Sequence, residues 1–289
     1  MTDRLVWELD GLDWPNRAAS SFVTAAGLNW HVQRFGAGPA ILLVHGTGAA
    51  THSWRGLAPL LAKDFTVVAP DLPGHGFTGM PPQHRLSLPG MAGDLTELLR
   101  VLGVSPALAV GHSAGAAIAA RMSLDGGIAP QSLVSLNGAL LPLRGIPSHL
   151  FSPAAKLLAA TSLSSRLFAW GAGDRSAVER LLGTTGSRLD PEGVELYRQL
   201  VRNPGHVAGA LGMMAHWDLR PLERDLPRLQ PSLTLVTGSN DRTIPPAEAV
   251  RVRALLPTAT LVTLPGLGHL AHEERPQEIA CLVAQLTRT

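Results

Sequence analysis

The sequence predicts an α/β protein with a mainly parallel sheet of eight strands, helices on both faces and a helical cap insertion. Two observations support this fold class. Short apolar runs alternate with segments of helical period along most of the chain, as in sheets built from right-handed crossovers. The alternation stops between about residues 140 and 220, where prolines and glycines break up successive helical segments. We therefore assign residues 1–139 and 221–289 to the core and 140–220 to the cap.

The predicted strands follow from their patterns of apolar residues. Residues 1–26 are irregular and lead into a first strand. Residues 28–34 alternate apolar and polar side chains, which is typical of a half-exposed antiparallel strand. Continuous apolar runs predict strands that are buried on both faces. These runs are residues 40–44, 65–69, 107–110, 133–136, 232–236 and 260–264.

Helices are predicted between these strands and within the cap. A glycine, Gly103, closes one of them, and Cys281 falls inside the last one, where we expect it in the core. The predicted helices are residues 54–62, 88–102, 116–124, 154–170, 192–202, 206–217, 246–256 and 277–286.

A G-x-S-x-G pentapeptide at residues 111–115 lies between a predicted strand and a helix rich in small residues. This arrangement is typical of a nucleophile elbow, in which the central serine, Ser113, projects from a tight turn at the end of the sheet. The amide of Ala114 then lies at a helix N-terminus, where it can face a developing oxyanion. The pattern predicts Ser113 as a catalytic nucleophile.

The loop at residues 45–48, His-Gly-Thr-Gly, directly follows a buried strand. In this architecture that loop supplies a second oxyanion amide, here from Thr47. The candidates for substrate binding around these amides are His45, Gly46, His112 and Trp54. A dinucleotide fingerprint beginning at Gly46 is the alternative, but its third position is Thr51, where helix–strand packing needs Gly or Ala.

A serine hydroxyl needs a base to remove its proton, and the base needs an acceptor that fixes its tautomer. Asp241 and His269 each follow a predicted strand, come after Ser113 in the order that this fold uses, and are 28 residues apart. We predict that they are the catalytic acid and base. His272 is the alternative base. Asp71 precedes the nucleophile, and we expect it to stabilise a turn.

Composition excludes several classes of protein. The formal net charge is only +2, so the chain lacks the charge of a nucleic-acid binder. One cysteine permits no internal disulfide, no secretory signal is recognisable and no apolar run reaches the roughly 18 residues of a membrane span, so we expect a cytoplasmic protein. His269-x-x-His272-Glu273 matches no zinc motif, and we predict no metal and no cofactor.

The residues together resemble a serine α/β-hydrolase with a cap. The resemblance covers nearly the whole chain through HGTG at 45–48, DLPGHG at 71–76, GHSAG at 111–115, GSND at 238–241 and GLGHLAHEE at 266–274. It implies the α/β-hydrolase fold and cleavage of an ester or similar acyl bond through an acyl-serine. It also implies a Ser113–His269–Asp241 triad with oxyanion amides at Thr47 and Ala114. The serine at the elbow argues against dehalogenases, which use aspartate there.

A narrower resemblance is carried by DWPNR at 13–17, GLNWHVQ at 27–33, HGTGAATHSW at 45–54 and LNGALLPLRG at 136–145. These stretches are similar to the magnesium-chelatase accessory hydrolases of bacteriochlorophyll biosynthesis, the pathway that makes a pigment of photosynthesis. The resemblance implies a tetrapyrrole as the small-molecule substrate and magnesium chelatase subunits as candidate partners. It leaves open an alternative function, in which a hydrolase scaffold binds a tetrapyrrole or assists the chelatase without turnover.

The cap is expected to select the substrate. Residues 142–220 carry nine basic and six acidic residues, which is compatible with an anionic ligand. A tetrapyrrole needs apolar walls and cationic anchors. The candidates are Leu157, Leu158, Phe168, Trp170 and Met213 for the walls and Arg144 and Arg166 for the anchors. Peripheral membrane contact is the rival explanation for the same apolar residues.

Overall fold

A computed structural model describes residues 4–142 and 174–286, and its centre is one eight-stranded sheet of order β1-β2-β4-β3-β5-β6-β7-β8. The strands are β1 Ser20–Ala25, β2 Leu28–Phe35, β3 Ala40–Val44, β4 Thr66–Pro70, β5 Leu108–His112, β6 Ser132–Leu136, β7 Ser232–Gly238 and β8 Thr260–Leu264. Strand β2 pairs antiparallel with β1 and β4, and all other pairs are parallel. The predicted fold class is confirmed.

The helices of the described residues connect these strands. They are α1 Trp7–Asp10, α2 Leu57–Leu61, α3 Leu88–Leu102, α4 Ala114–Leu124, α5 Arg175–Thr184, α6 Pro191–Val201, α7 Pro204–Ala215, α8 Arg220–Asp225, α9 Pro246–Leu255, α10 Ala271–Glu274 and α11 Pro276–Gln285. Short 3₁₀ turns lie at Arg17–Ala19, Thr51–Trp54, Gln83–Leu86 and Leu226–Arg228.

The core lies on both faces of the sheet, which explains why the central strands are continuous apolar runs. In β3, Leu42 and Val44 pack in the cluster that contains α3 and α4, whereas Ile41 and Leu43 pack on the opposite face against α2 and α11. Successive side chains of a strand point to opposite faces, so a strand covered on both sides consists mainly of apolar residues.

The structure corrects three of these predictions. The stretch predicted as irregular, residues 1–26, contains the helix α1 and the strand β1. The helix predicted over residues 54–62 is a 3₁₀ turn, Thr51–Trp54, followed by the short helix α2. Cys281 is exposed, so its predicted place in the core is wrong. The buried side chains of α11 are Ile279 and Val283, which lie four apart on one helix face, and Cys281 falls on the opposite side.

The described part of the insertion is helical and packs on the loops at one edge of the sheet. Side chains of α5 and α6 form an apolar cluster with Ala49 and Leu270, which belong to core loops. A second cluster joins α6 to Trp14 and Phe77. The helix predicted at residues 154–170, with the proposed wall and anchor residues 144, 157, 158, 166, 168 and 170, lies outside the described residues.

No helix within residues 4–142 and 174–286 combines the length and apolar character that crossing a membrane requires.

Candidate active site

The loops that carry the predicted site residues lie at one edge of the sheet. Strands β3, β5, β7 and β8 are parallel neighbours within the order β3-β5-β6-β7-β8, so their carboxyl ends point the same way. In open α/β sheets ligands bind outside this edge. The loops after these strands carry Thr47, Ser113, Asp241 and His269, respectively.

Ser113 occupies a strained turn between β5 and α4. Its backbone dihedrals are φ 52° and ψ −120°, a conformation that L-residues rarely adopt. A side chain at Gly115 would overlap the carbonyl groups of Val44, the last residue of β3, and of His45, which follows it, so the turn can form only with glycine there. Strain of this kind costs about 1–3 kcal/mol and persists where the surrounding structure enforces it.

The loop after β3 passes directly beside the serine. A Cβ atom placed on Gly46 would lie 2.9 Å from the Cβ of Ser113, so only glycine allows this approach. Thr47 follows in that loop and is half-buried. Ala114 is the first residue of α4, and the first amides of a helix lack partners within the helix. The predicted oxyanion residues therefore belong to two segments that flank Ser113.

Asp241 and His269 are in direct contact and are buried. His269 Nδ1 lies 2.9 Å from Asp241 Oδ2. The other carboxylate oxygen, Oδ1, accepts hydrogen bonds from the amides of Thr243 and Ile244 at 2.8 and 2.9 Å. Because a carboxylate only accepts, the shared hydrogen lies on His269 Nδ1, and the tautomer of the neutral ring that fits this contact has its free acceptor at Nε2.

Asn137 is a site residue whose contacts sequence reasoning missed. It follows β6, is buried, and donates from Nδ2 to Asp241 Oδ2 at 2.8 Å and to the Gly268 carbonyl at 3.2 Å. One amide group thus holds both the carboxylate and the loop that carries His269. The signal available in the sequence was an Asn-Gly pair at residues 137–138, directly after a predicted strand.

Three of the four predicted substrate-binding side chains lie in the protein interior. His45 is fully buried, and its Nε2 accepts from the amide of Leu72 at 2.9 Å. His112 is also buried and donates from Nε2 to the His269 carbonyl at 2.9 Å. Trp54 is fully buried in the core against the ring of His272. The structure gives these side chains packing and loop-holding contacts, whereas Gly46 lies beside Ser113.

His272, the alternative base, is enclosed by aromatic rings and does not contact Asp241 through any hydrogen bond. Its ring centroid lies 4.4 Å from that of His112 and 4.7 Å from that of Trp54. Burial, assisted by His269, lowers the pKa of His272 to about 3. The ring is therefore neutral at physiological pH and is part of the packing beneath the site.

A turn of the insertion, residues 185–187, touches the two loops that carry Asp241 and His269. The Thr185 carbonyl accepts from the amides of Arg242 at 3.2 Å and His269 at 3.3 Å. The hydroxyl of Ser187, which is buried, accepts from the amide of Leu270 at 2.8 Å. The insertion is therefore bonded to both loops through backbone groups.

A cluster of polar side chains fastens α6 to the segment after His269. Arg55 pairs with the carboxylate of Glu273, which has no exposed side-chain surface, and with Asp190 at 3.0 Å. Tyr197 of α6 donates its hydroxyl to Glu273 at 2.8 Å. Burial raises the pKa of Glu273 to about 7, against the opposing effect of Arg55.

In the part of the chain that the structure describes, no group of three or more His, Cys, Asp or Glu side chains is arranged to hold a metal ion.

The fold and these motifs define a hydrolase scaffold, and comparison with known proteins identifies the family. The chain belongs to the alpha/beta hydrolase fold family, whose sequence profile matches residues 39–276. It is similar to the "Magnesium-chelatase 30 kDa subunit" of Rhodobacter capsulatus, with 38% identity over 263 residues, 90% of this chain and 92% of the relative.

Other relatives connect the chain to hydrolases of several kinds. A fluoroacetate dehalogenase of a Burkholderia species is 34% identical over 204 residues, 61% of each chain. The crystal structure of an alpha/beta hydrolase fold protein from Burkholderia ambifaria has a TM-score of 0.77 and 25% identity and covers 92% of this chain and 97% of its own. The epoxide hydrolase CorEH has the same TM-score of 0.77 at 22% identity over 93% of this chain and 98% of its own, which shows the fold alone.

Proposed function

We propose that the protein is a serine hydrolase that cleaves an ester or a similar acyl bond through an acyl-enzyme. Ser113 is the nucleophile, His269 the base and Asp241 the acid that orients it. The amides of Thr47 and Ala114 form the oxyanion hole. The dehalogenase relative is not the better guide to the reaction, because an aspartate at the elbow would be needed for its chemistry and Ser113 stands there.

The observation that carries this proposal is the hydrogen bond between His269 and Asp241. Both oxygens of the Asp241 carboxylate accept hydrogen bonds, so the carboxylate is held in one orientation beside His269 Nδ1. This selects the tautomer in which Nε2 is free to accept a proton. A neutral imidazole with a free Nε2, on the loop beside a strained serine turn, is what acyl transfer requires.

The reaction then proceeds in two halves. In the first, the Ser113 oxygen attacks the acyl carbon while its proton passes to His269 Nε2. The oxyanion that forms is held by the two amides, and the protonated His269 donates to the leaving alcohol as the intermediate collapses. In the second, His269 accepts a proton from a water molecule that attacks the acyl-serine, and it returns that proton to the Ser113 oxygen as the acyl–oxygen bond breaks and the carboxylic acid leaves.

Covalent labelling tests this proposal. We expect a fluorophosphonate to react with the purified protein at Ser113 in a single stoichiometric step, because the free Nε2 of His269 activates that hydroxyl. Mass spectrometry of the digested protein locates the modified residue. The Ser113→Ala variant is the control and should remain unlabelled. Labelling at another serine, or none in a folded protein, would contradict the proposed nucleophile.

A second candidate function is favoured by the relative from Rhodobacter capsulatus. Its printed name is that of a magnesium-chelatase subunit, and the similarity extends over 90% of this chain. Inserting magnesium into a porphyrin requires no acyl transfer, so a triad is not explained by that activity. We propose that the chain binds a tetrapyrrole in bacteriochlorophyll synthesis, as substrate of the hydrolase or as a ligand held for the chelatase.

Porphyrin fluorescence tests this second candidate. We expect the protein to quench or shift the fluorescence of a porphyrin carboxylate, and the effect to weaken in an Arg144→Gln/Arg166→Gln variant, because cationic anchors pair with the carboxylates. Arg100→Gln, which removes an exposed arginine paired with Glu97 on α3, is the matched control. Flotation of the protein with lipid vesicles in the absence of porphyrin binding would contradict the proposal and indicate membrane contact.

A further inference from the structure

We infer that His206, on the insertion helix α7, is a positioning residue for the turn 46–49 that presents the oxyanion amide of Thr47. His206 Nε2 lies 3.1 Å from the carbonyl oxygen of Gly48, and Nδ1 lies 3.0 Å from the amide nitrogen of Gly76. The inference rests on the proposed function, since Thr47 matters only if an oxyanion forms beside Ser113.

These two contacts fix the tautomer of His206. A carbonyl can only accept and an amide can only donate, so Nε2 carries the hydrogen and donates to Gly48, while Nδ1 accepts from Gly76. The side chain is buried, and burial lowers the pKa of His206 to about 4. The neutral ring that both contacts require is therefore the form present at physiological pH.

The contact with Gly48 acts on the peptide unit that closes the turn. The amide of Ala49 donates to the Gly46 carbonyl at 3.2 Å, and the carbonyl of the same peptide, that of Gly48, accepts from His206. The peptide is thus held at both ends, once from within the turn and once from the insertion. The Gly46 carbonyl and the Thr47 amide belong to one planar peptide unit, so the bond from Ala49 links the peptide held by His206 to the peptide that presents the Thr47 amide.

Two further contacts, about one helical turn apart, show that α7 packs closely against the loops that follow β3 and β4. A side chain at Gly209 would overlap the backbone of Gly74, so the helix rests directly on the loop that follows β4. The sulfur of Met213, which is fully buried, lies 3.3 Å from the hydroxyl oxygen of Thr47. The insertion therefore supports the oxyanion turn as well as covering the edge of the sheet.

Two variants separate the contacts of His206. Glutamine places its amide nitrogen near the position of Nε2 and keeps a donor for Gly48, whereas asparagine places its side-chain oxygen near Nδ1 and keeps only the acceptor for Gly76. If the Gly48 contact positions the turn, His206→Gln should retain activity close to the unchanged protein. His206→Asn should lower kcat by about 10- to 100-fold, the cost of a small misplacement of a catalytic group.

The affinity for an analogue of the tetrahedral intermediate distinguishes a positioning role from a purely structural one. Loss of a purely structural contact would leave this affinity unchanged in the folded protein. With p-nitrophenyl acetate as substrate, we expect His206→Asn to lower kcat with little change in KM. Inhibition by an alkyl trifluoromethyl ketone, whose serine adduct carries an oxyanion, should weaken by the same factor as kcat. His216→Asn is the matched control, because His216 lies just beyond α7 and its Nδ1 bonds to the helix carbonyl of Gly212.

Hydrogen exchange separates this inference from the proposed function. In His206→Asn the amide of Ala49 should exchange faster than in the unchanged protein, and in His206→Gln it should not, whether or not any ester is hydrolysed. Faster exchange in a protein that no fluorophosphonate labels would show that His206 holds the turn 46–49 and would reject the proposed function, and with it the oxyanion role of that turn. The inference would be overturned if His206→Asn kept the kcat, the inhibition and the Ala49 exchange rate of the unchanged protein. It would also be overturned if both variants folded and lost activity equally.

Discussion

Ser113→Ala is expected to lower kcat for an activated ester by about 10⁶-fold, the loss that removal of the nucleophile causes in another serine triad. The substitution removes only the attacking oxygen and leaves the turn between β5 and α4 unchanged. The melting temperature should stay within a few degrees, because alanine occupies the same strained backbone conformation as serine. Steady-state hydrolysis of p-nitrophenyl acetate, together with thermal unfolding followed by circular dichroism, provides the measurement.

The double variant Ser113→Ala/His269→Ala should be no slower than Ser113→Ala alone, because members of a triad act as one unit. Ser113→Gly offers a second control: it should be equally inactive but at least as stable, since glycine adopts a positive φ without strain. Hydrolysis near the unmodified rate by purified, folded Ser113→Ala would mean that the reaction does not use this serine.

Much of the fold follows from local patterns because buried parallel strands are continuous apolar runs with sharp ends. Apolar runs predict strands at residues 40–44 and 260–264, and the structure has β3 Ala40–Val44 and β8 Thr260–Leu264. The contact between Asp241 and His269 can also be predicted from the sequence. Their loops follow β7 and β8, which the topology makes neighbours.

Local sequence patterns do not predict the contacts that depend on how the insertion packs against the core. His206 is 158 residues away from Gly48, and no helical period encodes that hydrogen bond. Trp54 illustrates the same limit: its apolar character fits a binding surface or a core equally well. In the structure Trp54 lies in the core cluster that contains Ile41 and Leu43, with its ring against that of His272. Tertiary contacts of this kind decide which polar groups support the site.

Asp241→Asn is expected to lower kcat by about 10⁴-fold, as the equivalent change does in a related triad. The surroundings of the carboxylate dictate how the amide must lie. Oδ1 faces two backbone donors, the amides of Thr243 and Ile244, so an oxygen must remain there. The new NH₂ group then takes the place of Oδ2, where it loses the bond from Asn137 Nδ2 and points a donor at His269 Nδ1. The ring must shift its hydrogen to Nε2, which can no longer accept the proton of Ser113.

The control for Asp241→Asn is Asp218→Asn, which changes an exposed carboxylate that pairs with Arg220. That variant should keep the unmodified rate. Nitrogen-15 NMR of the histidine side chains supplies the direct measurement, because it distinguishes a ring protonated at Nδ1 from one protonated at Nε2. We expect His269 to change tautomer only in Asp241→Asn. An unchanged tautomer together with an unchanged rate would remove Asp241 from the proposed mechanism, since its carboxylate would then neither orient nor stabilise the base.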